Sequence, residues 1–311
     1  MNLWIQISIL IVSGMVLTGA AHLVVKQSTR LAHMVGLSNF TVGFLLLGIF
    51  TSMPELFVAM QSVHDGIPQL SAGNLLGGSI LLLSFVMGTT AVLLGQVRLD
   101  HRLSGKELVV MMGVIAAPVA VLWDERLTRP EGLFLVSVYI LHAFVLNQDD
   151  RKMHRKNNVV SAKGLSSHLA LLAVGVGMMF LSSRFIVSGA ENIMKTFAIA
   201  PVVFGLFFLS LGTNLPELAL AFEGIRKRSK EIAFGDFLGS SAANTLILGL
   251  LGLVMPFSGS GNGKILGALL WLTCISAYFL WAVSSGRTVS RKEGIGLLIF
   301  YFIFVIYELA V

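Results

Sequence analysis

The sequence predicts an all-α polytopic membrane protein: ten transmembrane helices arranged as two inverted five-helix repeats. Three features point to it. The 311 residues are 55% hydrophobic and only 12% charged, with a mean hydropathy of +0.85. Predominantly apolar runs near the length that crosses a ~30 Å hydrocarbon core recur along the chain. A polar motif inside these runs occurs twice at one fixed separation. A soluble domain carries about 25% charged residues, so the composition excludes one. A β-barrel is excluded as well, because its strands alternate and are short, whereas these runs are long and uniformly apolar.

Taken in order, the runs between polar breaks place spans near 3–25, 39–63, 68–96, 107–123 and 132–147. A second set follows near 168–190, 198–224, 232–257, 265–284 and 294–311. Met1-Asn2-Leu3-Trp4 lacks the basic stretch of a cleavable signal peptide, so the first run is expected to stay as a span. Residues 148–167 hold Asp149, Asp150, Arg151, Lys152, Arg155, Lys156 and Lys163. They read as a cytoplasmic linker between one five-helix half, 1–147, and another, 168–311.

Ten spans put alternate loops on opposite sides. One side collects Lys26, Arg30, Arg98, Arg102, Lys106, the five basic linker residues, Arg226, Lys227, Arg228, Lys230, Arg287, Arg291 and Lys292. The other collects Arg126, Arg129, Lys195 and Lys264. That split, seventeen against four, faces the first side to the cytoplasm and both termini outward across the cell (inner) membrane. The net charge of +6 therefore reports orientation in a lipid bilayer rather than nucleic-acid binding. The patch at Arg226–Lys230 is read as part of the same signal.

The halves align without a gap at an offset of 162 residues, which places Glu217 on Glu55. Gly43, Thr51, Pro54, Glu55, Leu56 and Ala59 fall on Gly205, Thr213, Pro216, Glu217, Leu218 and Ala221. Gly73, Leu76, Gly77 and Ser79 fall on Gly235, Leu238, Gly239 and Ser241. An odd number of spans per copy makes the copies enter the membrane in opposite senses. That is the plan of many secondary transporters, with the site near mid-membrane where the repeats meet.

Glu55 and Glu217 lie in the middle of apolar runs, where a charge costs about 2.5–3.5 kcal/mol on insertion scales. Pro54 and Pro216 remove the N–H groups that would bond the carbonyls of Phe50 and Gly212. Each break thus exposes backbone oxygen beside a carboxylate, next to Thr51 and Ser52 in one half and Thr213 and Asn214 in the other. Oxygen-only clusters of this kind suit hard cations such as Ca²⁺, and Na⁺ by analogy. Facing glutamates repel when both are ionised, so a cation or a proton must separate them. Carboxylates buried neutral, or paired with Arg184, are the alternative.

Asp236, opposite Asn74 in the repeat, either completes the site or bonds near a helix start. Glu308 is expected at the membrane interface, close to the C-terminus. Gly73, Gly77, Gly78, Gly235 and Gly239 suit close helix packing, and His22 and His142 suit hydrogen bonds within helices. Met178 and Met179 are expected to pack. Cys274, the single cysteine, is expected as a small buried hydrophobe. With no CxxC pair or His/Cys cluster, neither zinc nor iron–sulfur is expected, and no resident cofactor.

Phe50-Thr51-Ser52-Met53-Pro54-Glu55 and Gly212-Thr213-Asn214-Leu215-Pro216-Glu217 resemble the Gly-Thr-Ser-x-Pro-Glu motif of the cation/calcium exchanger superfamily, the sodium/calcium exchanger type in particular. Residues 73–79 and 235–241 resemble its second motif, Gly-Asn-x-x-Gly-Ser-Asn. The resemblance implies alternating access around helices two, three, seven and eight. It also implies cation ligands at Thr51, Ser52, Glu55, Thr213, Asn214 and Glu217, with Ser79, Asp236 and Ser241 from the second motif. Ser79 and Ser241 stand where the family has Asn or Asp, Asp236 replaces an Asn, and Phe50 replaces a Gly.

The leading expectation is a secondary cation antiporter, not an enzyme, that exports Ca²⁺ in exchange for Na⁺ or H⁺. A monovalent cation/proton antiporter and a membrane sensor that binds cations without moving them stay open. An intramembrane hydrolase has no HExxH motif or nucleophile setting here and no use for duplicated carboxylates. Oligomeric state is not readable.

Overall fold

The structure, a computed structural model, describes residues 3–34, 47–98, 105–153, 165–226, 232–258, 263–284 and 286–310. The first half comprises α1 (Leu3–Met34), α2 (Leu47–Thr51), α3 (Met53–His64), α4 (Pro68–Leu94), α5 (Gly105–Val121) and α6 (Arg129–Met153). The second comprises α7 (Leu165–Phe197), α8 (Pro201–Thr213), α9 (Leu215–Arg226), α10 (Ile232–Val254), α11 (Lys264–Ser284) and α12 (Arg291–Ala310). Leu3 and Leu165, like Arg129 and Arg291, start corresponding helices 162 residues apart.

Two helical rods are interrupted where proline forbids continuity. The predicted second span breaks at Ser52 (φ −80°, ψ 9°), between α2 and α3. Its counterpart breaks at Asn214 (φ −88°, ψ 15°), and the axes of α8 and α9 diverge by 47°. Six helices among the described residues, α1, α4, α7, α10, α11 and α12, are long and apolar enough to cross a bilayer. The bent pair α8–α9 makes a seventh if it is one span. The chain is therefore a multi-pass membrane protein. The expected total of ten exceeds this count at α2–α3, α5 and α6. Residues 35–46 before α2 lie outside the described set, α5 has 17 residues, and charges bound α6 at both ends.

Several elements extend past their predicted limits. α1 runs nine residues beyond 25 because its polar end finds a partner: Gln27 is buried, and its Oε1 lies 2.8 Å from Nδ1 of His168 on α7. α6 continues to Met153 and α7 begins at Leu165, so 154–164 of the expected linker lies outside the described residues. Cys274 sits on the exposed face of α11, correcting the buried expectation. A lipid-facing side is as apolar as a core side, so hydropathy does not separate them. Glu308, expected near the membrane interface, is buried in the protein and accompanied by Lys264. The Lys264 Nζ donates to the Glu308 carbonyl at 2.7 Å and lies 3.7 Å from its carboxylate. His142 is buried on α6 with its Nδ1 unbonded, and His22 is exposed.

α4 and α10 form the centre: 83% and 78% of their apolar windows are buried, against 22% for α12. One core cluster joins α4, α5, α10, α11 and α12. A second joins α1 and α7 to α3 and α8. Short strands tie the halves together across their loops. β1 (Gln96–Arg98) pairs antiparallel with β4 (Thr288–Ser290), and β2 (Arg126–Leu127) pairs with β3 (Phe257–Ser258).

Glycines set how closely the central helices approach. A Cβ on Gly73 or Gly77 of α4 would run into the backbone of Val202 or Leu206 on α8. One on Gly48 would lie 2.7 Å from the Gly239 backbone. Gly77→Leu should therefore destabilise the fold by about 1–3 kcal/mol or more. The check is the melting temperature of purified protein, with Gly177→Leu, where a Cβ meets no atom within 4 Å, expected to melt near wild type.

Candidate cation site

The two breaks place a carboxylate at the first turn of a new helix, Glu55 on α3 and Glu217 on α9. A helix N-terminus stabilises negative charge there. The preceding segments, α2 and α8, end at the same points with their carbonyl ends toward the break. Pro54 and Pro216 leave the Phe50 and Gly212 carbonyls without an i+4 donor. The local sequence thus collects anionic and carbonyl oxygen at each kink, the inventory a cation needs once it has shed water.

Packing buries its side chains. Thr51, Ser52, Glu55, Thr213, Asn214 and Glu217 are each no more than 1% exposed. Both carboxylate oxygens of Glu55 lack a hydrogen-bond donor. The Thr213 hydroxyl lies near that carboxyl but donates to Asn74 Oδ1 at 3.1 Å. Arg184 sits on the exposed face of α7.

The kink of each half is bonded to the central helix of the other. From α2–α3, Thr51 Oγ1 is 2.7 Å from Ser240 Oγ on α10, and Ser52 Oγ donates to the Ser240 carbonyl at 3.5 Å. From α8, Thr213 reaches Asn74 on α4. Asn214 Nδ2 donates to the Ser210 carbonyl at 2.8 Å. Between the central helices, Asn244 Nδ2 donates to Ser79 Oγ at 3.2 Å and to the Leu75 carbonyl at 3.3 Å. The Asn244 Oδ1 is buried without a donor.

Sequence reasoning did not select Ser240, Asn244 or Asn74. The second motif directed attention to Ser79 and Ser241. Ser241 Oγ instead donates to the Phe237 carbonyl of its own helix at 2.8 Å. Ser79 Oγ lies 3.1 Å from the Leu75 carbonyl and 3.5 Å from that of Ser241. One residue along a helix turns the side chain by about 100°, so Ser240, not Ser241, meets Thr51. Ser240 and Asn244 are four apart on one face, a polar pair inside an apolar run that could have been found. Asp236 belongs to α10, but its side chain lies outside the described residues. Gly78 and Leu82 occupy the positions of Ser240 and Asn244 in the first half, so the polar contribution of the central helices is lopsided.

Comparison with known proteins identifies the family and the fold. Residues 5–147 and 167–310 each match the family model described as sodium/calcium exchanger protein. The Escherichia coli K12 inner membrane protein YrbG is 26% identical over 305 residues, covering 94% of this chain and 92% of that protein. A Methanosarcina acetivorans protein named sodium/calcium exchanger MaX1 is 23% identical, over 91% and 92% of the two chains. A solved structure of the sodium-calcium exchanger NCX_Mj, soaked with 10 mM Na⁺ and zero Ca²⁺, superposes with a TM-score of 0.70. It is 22% identical and covers 98% of this chain and 99% of its own, so it shows a shared fold. With the family model matched across both halves, the chain belongs to the sodium/calcium exchanger protein family.

Proposed function

We propose that the chain is a secondary active antiporter that exports Ca²⁺ in exchange for Na⁺ or H⁺ by alternating access. The observation that carries this reading is the pair of Pro-Glu kinks, both fully buried and each wired to the other half. An ionised carboxylate removed from water is costly without a counter-charge, so Glu55 and Glu217 recruit a cation or protons. A Ca²⁺ ion neutralises both at once, and two monovalent cations do the same. Exchange follows because neither carboxylate is left bare as the site turns from one side to the other. Thr51, Ser52, Thr213, Asn214, Ser240 and Asn244 would supply neutral oxygens, with Ser79, Asp236 and Ser241 around them.

Ten spans in two inverted halves, 1–147 and 168–311 around a linker at 148–167, are part of this proposal. Ser79 touches Ser241, its own counterpart 162 residues on, as residues on a twofold axis do. The crossed strand pairs β1–β4 and β2–β3 fit the same symmetry. The excess of basic residues on one set of loops supports termini outside the inner membrane. MaX1 and the Alkalimonas amylolytica protein named putative antiporter CaxA lend support to exchange.

A second reading has one specific observation behind it. Ca²⁺ takes about 6–8 oxygen ligands, and Gly78 and Leu82 offer no side-chain oxygen where the other half has Ser240 and Asn244. That favours a smaller ligand set and monovalent cation/proton exchange.

Proteoliposomes carrying the protein are expected to accumulate radioactive calcium against an opposed Na⁺ or H⁺ gradient. Glu55→Gln with Glu217→Gln should reduce uptake to that of empty liposomes. Binding without accumulation would identify a sensor instead. In competition, unlabelled Ca²⁺ should suppress the flux at concentrations where K⁺ does not; proton-driven uptake of Na⁺ or K⁺ with no accumulation of Ca²⁺ would select the monovalent reading. Asn244→Leu, which copies Leu82, is expected to raise the KM for Ca²⁺ by about tenfold, the equivalent of ~1.4 kcal/mol.

A further inference from the structure

On α8, Gly212 stands where the first half has Phe50, 162 residues earlier. The Phe50 ring is half-buried and packs on the α1–α7 cluster. A Cβ on Gly212, by contrast, would meet no atom within 4 Å. An open groove of about 590 Å³ lies there between α1, α7 and α8. Gly212 and Thr213 form part of its lining, and Ile11, Met15, Phe197 and Phe208 line it as well. Those four side chains are all more than half exposed.

We propose that a phospholipid acyl chain from the surrounding bilayer occupies this groove, in the place that Phe50 takes in the other half, and closes the lipid-facing wall behind Thr213. The lining decides the occupant. Thr213 is the only polar side chain among its described lining residues, and its hydroxyl is committed to Asn74. Water needs two to four polar partners to be held in a cavity, and a charged ligand needs more. An empty groove would forfeit the dispersion contacts of its lining. α1 and α7 are long and apolar enough to cross the membrane, so their outer faces meet hydrocarbon. A flexible methylene chain is the species present that fits an irregular apolar slot. Phe50 is the internal precedent that an apolar group belongs at this register. The inference concerns the lipid face and holds whichever cation the site carries.

The test uses the full chain in phosphatidylcholine vesicles containing a phosphatidylcholine with a photoactivatable diazirine in one acyl chain. After irradiation, labelled positions are mapped by mass spectrometry. Labelling in 7–15 and 201–215 should exceed that at Ile299 and Phe302, which lie on the open face of α12, by about fivefold, an occupancy preference of ~1 kcal/mol. Met15→Trp fills the groove from its exposed rim on α1, leaving the sequence of the α8–α9 break unchanged, and should bring the groove down to the α12 level. Gly212→Phe should do the same from the floor. Equal labelling of groove and α12 in the wild type, or groove labelling unchanged in Met15→Trp, would overturn the proposal.

Discussion

Two carboxylates held away from water and away from the lipid must have their charge balanced, and the rest of the molecule is arranged around that requirement. Glu55 and Glu217 are no more than 1% exposed in a chain that crosses a membrane several times. Leaving either ionised and alone would cost several kcal/mol. In the proposed exchange, a counter-ion that comes and goes is what gives two such groups, each beside a proline break, their use. In that reading, burial rather than the acids as such would make the site discriminating. An exposed pair would be screened by water and salt.

Burial of that kind needs central helices that approach closely while still presenting polar groups to each other. α4 and α10 meet the requirement by separating the two roles by face. Gly73, Gly77 and Gly239 let backbones of opposite halves touch. Ser79, Ser240 and Asn244 hold the hydrogen bonds that cross between halves. The strand pairs β1–β4 and β2–β3 fasten the loops of one half to those of the other. α1 and α7 pack chiefly on each other, with apolar grooves on their flanks.

Much of this was readable from residues alone. Pro-Glu beside hydroxyls inside an apolar run could only be a kink with a buried acid. Its recurrence at one offset foretold which helices would break. Other features depend on tertiary partners that no local pattern encodes. Ser240 was hidden beside Ser241 because the face of α10 that meets Thr51 is set by packing. Asn244 stood outside both motifs, so nothing in the sequence reading drew attention to it. The polar end of α1 looked like a loop until His168 met Gln27. Cys274 was misplaced because, in a bilayer, hydropathy marks what lies in the membrane but not which side faces protein.

The most direct measurement is anomalous diffraction from crystals of this protein grown with Cd²⁺, an electron-rich stand-in for Ca²⁺. A single strong peak is expected between Glu55 and Glu217, with carboxylate and hydroxyl oxygens from both halves about 2.3–2.6 Å away. Peaks confined to the surface, with the two carboxylates too far apart to share one ion, would contradict the shared cation site.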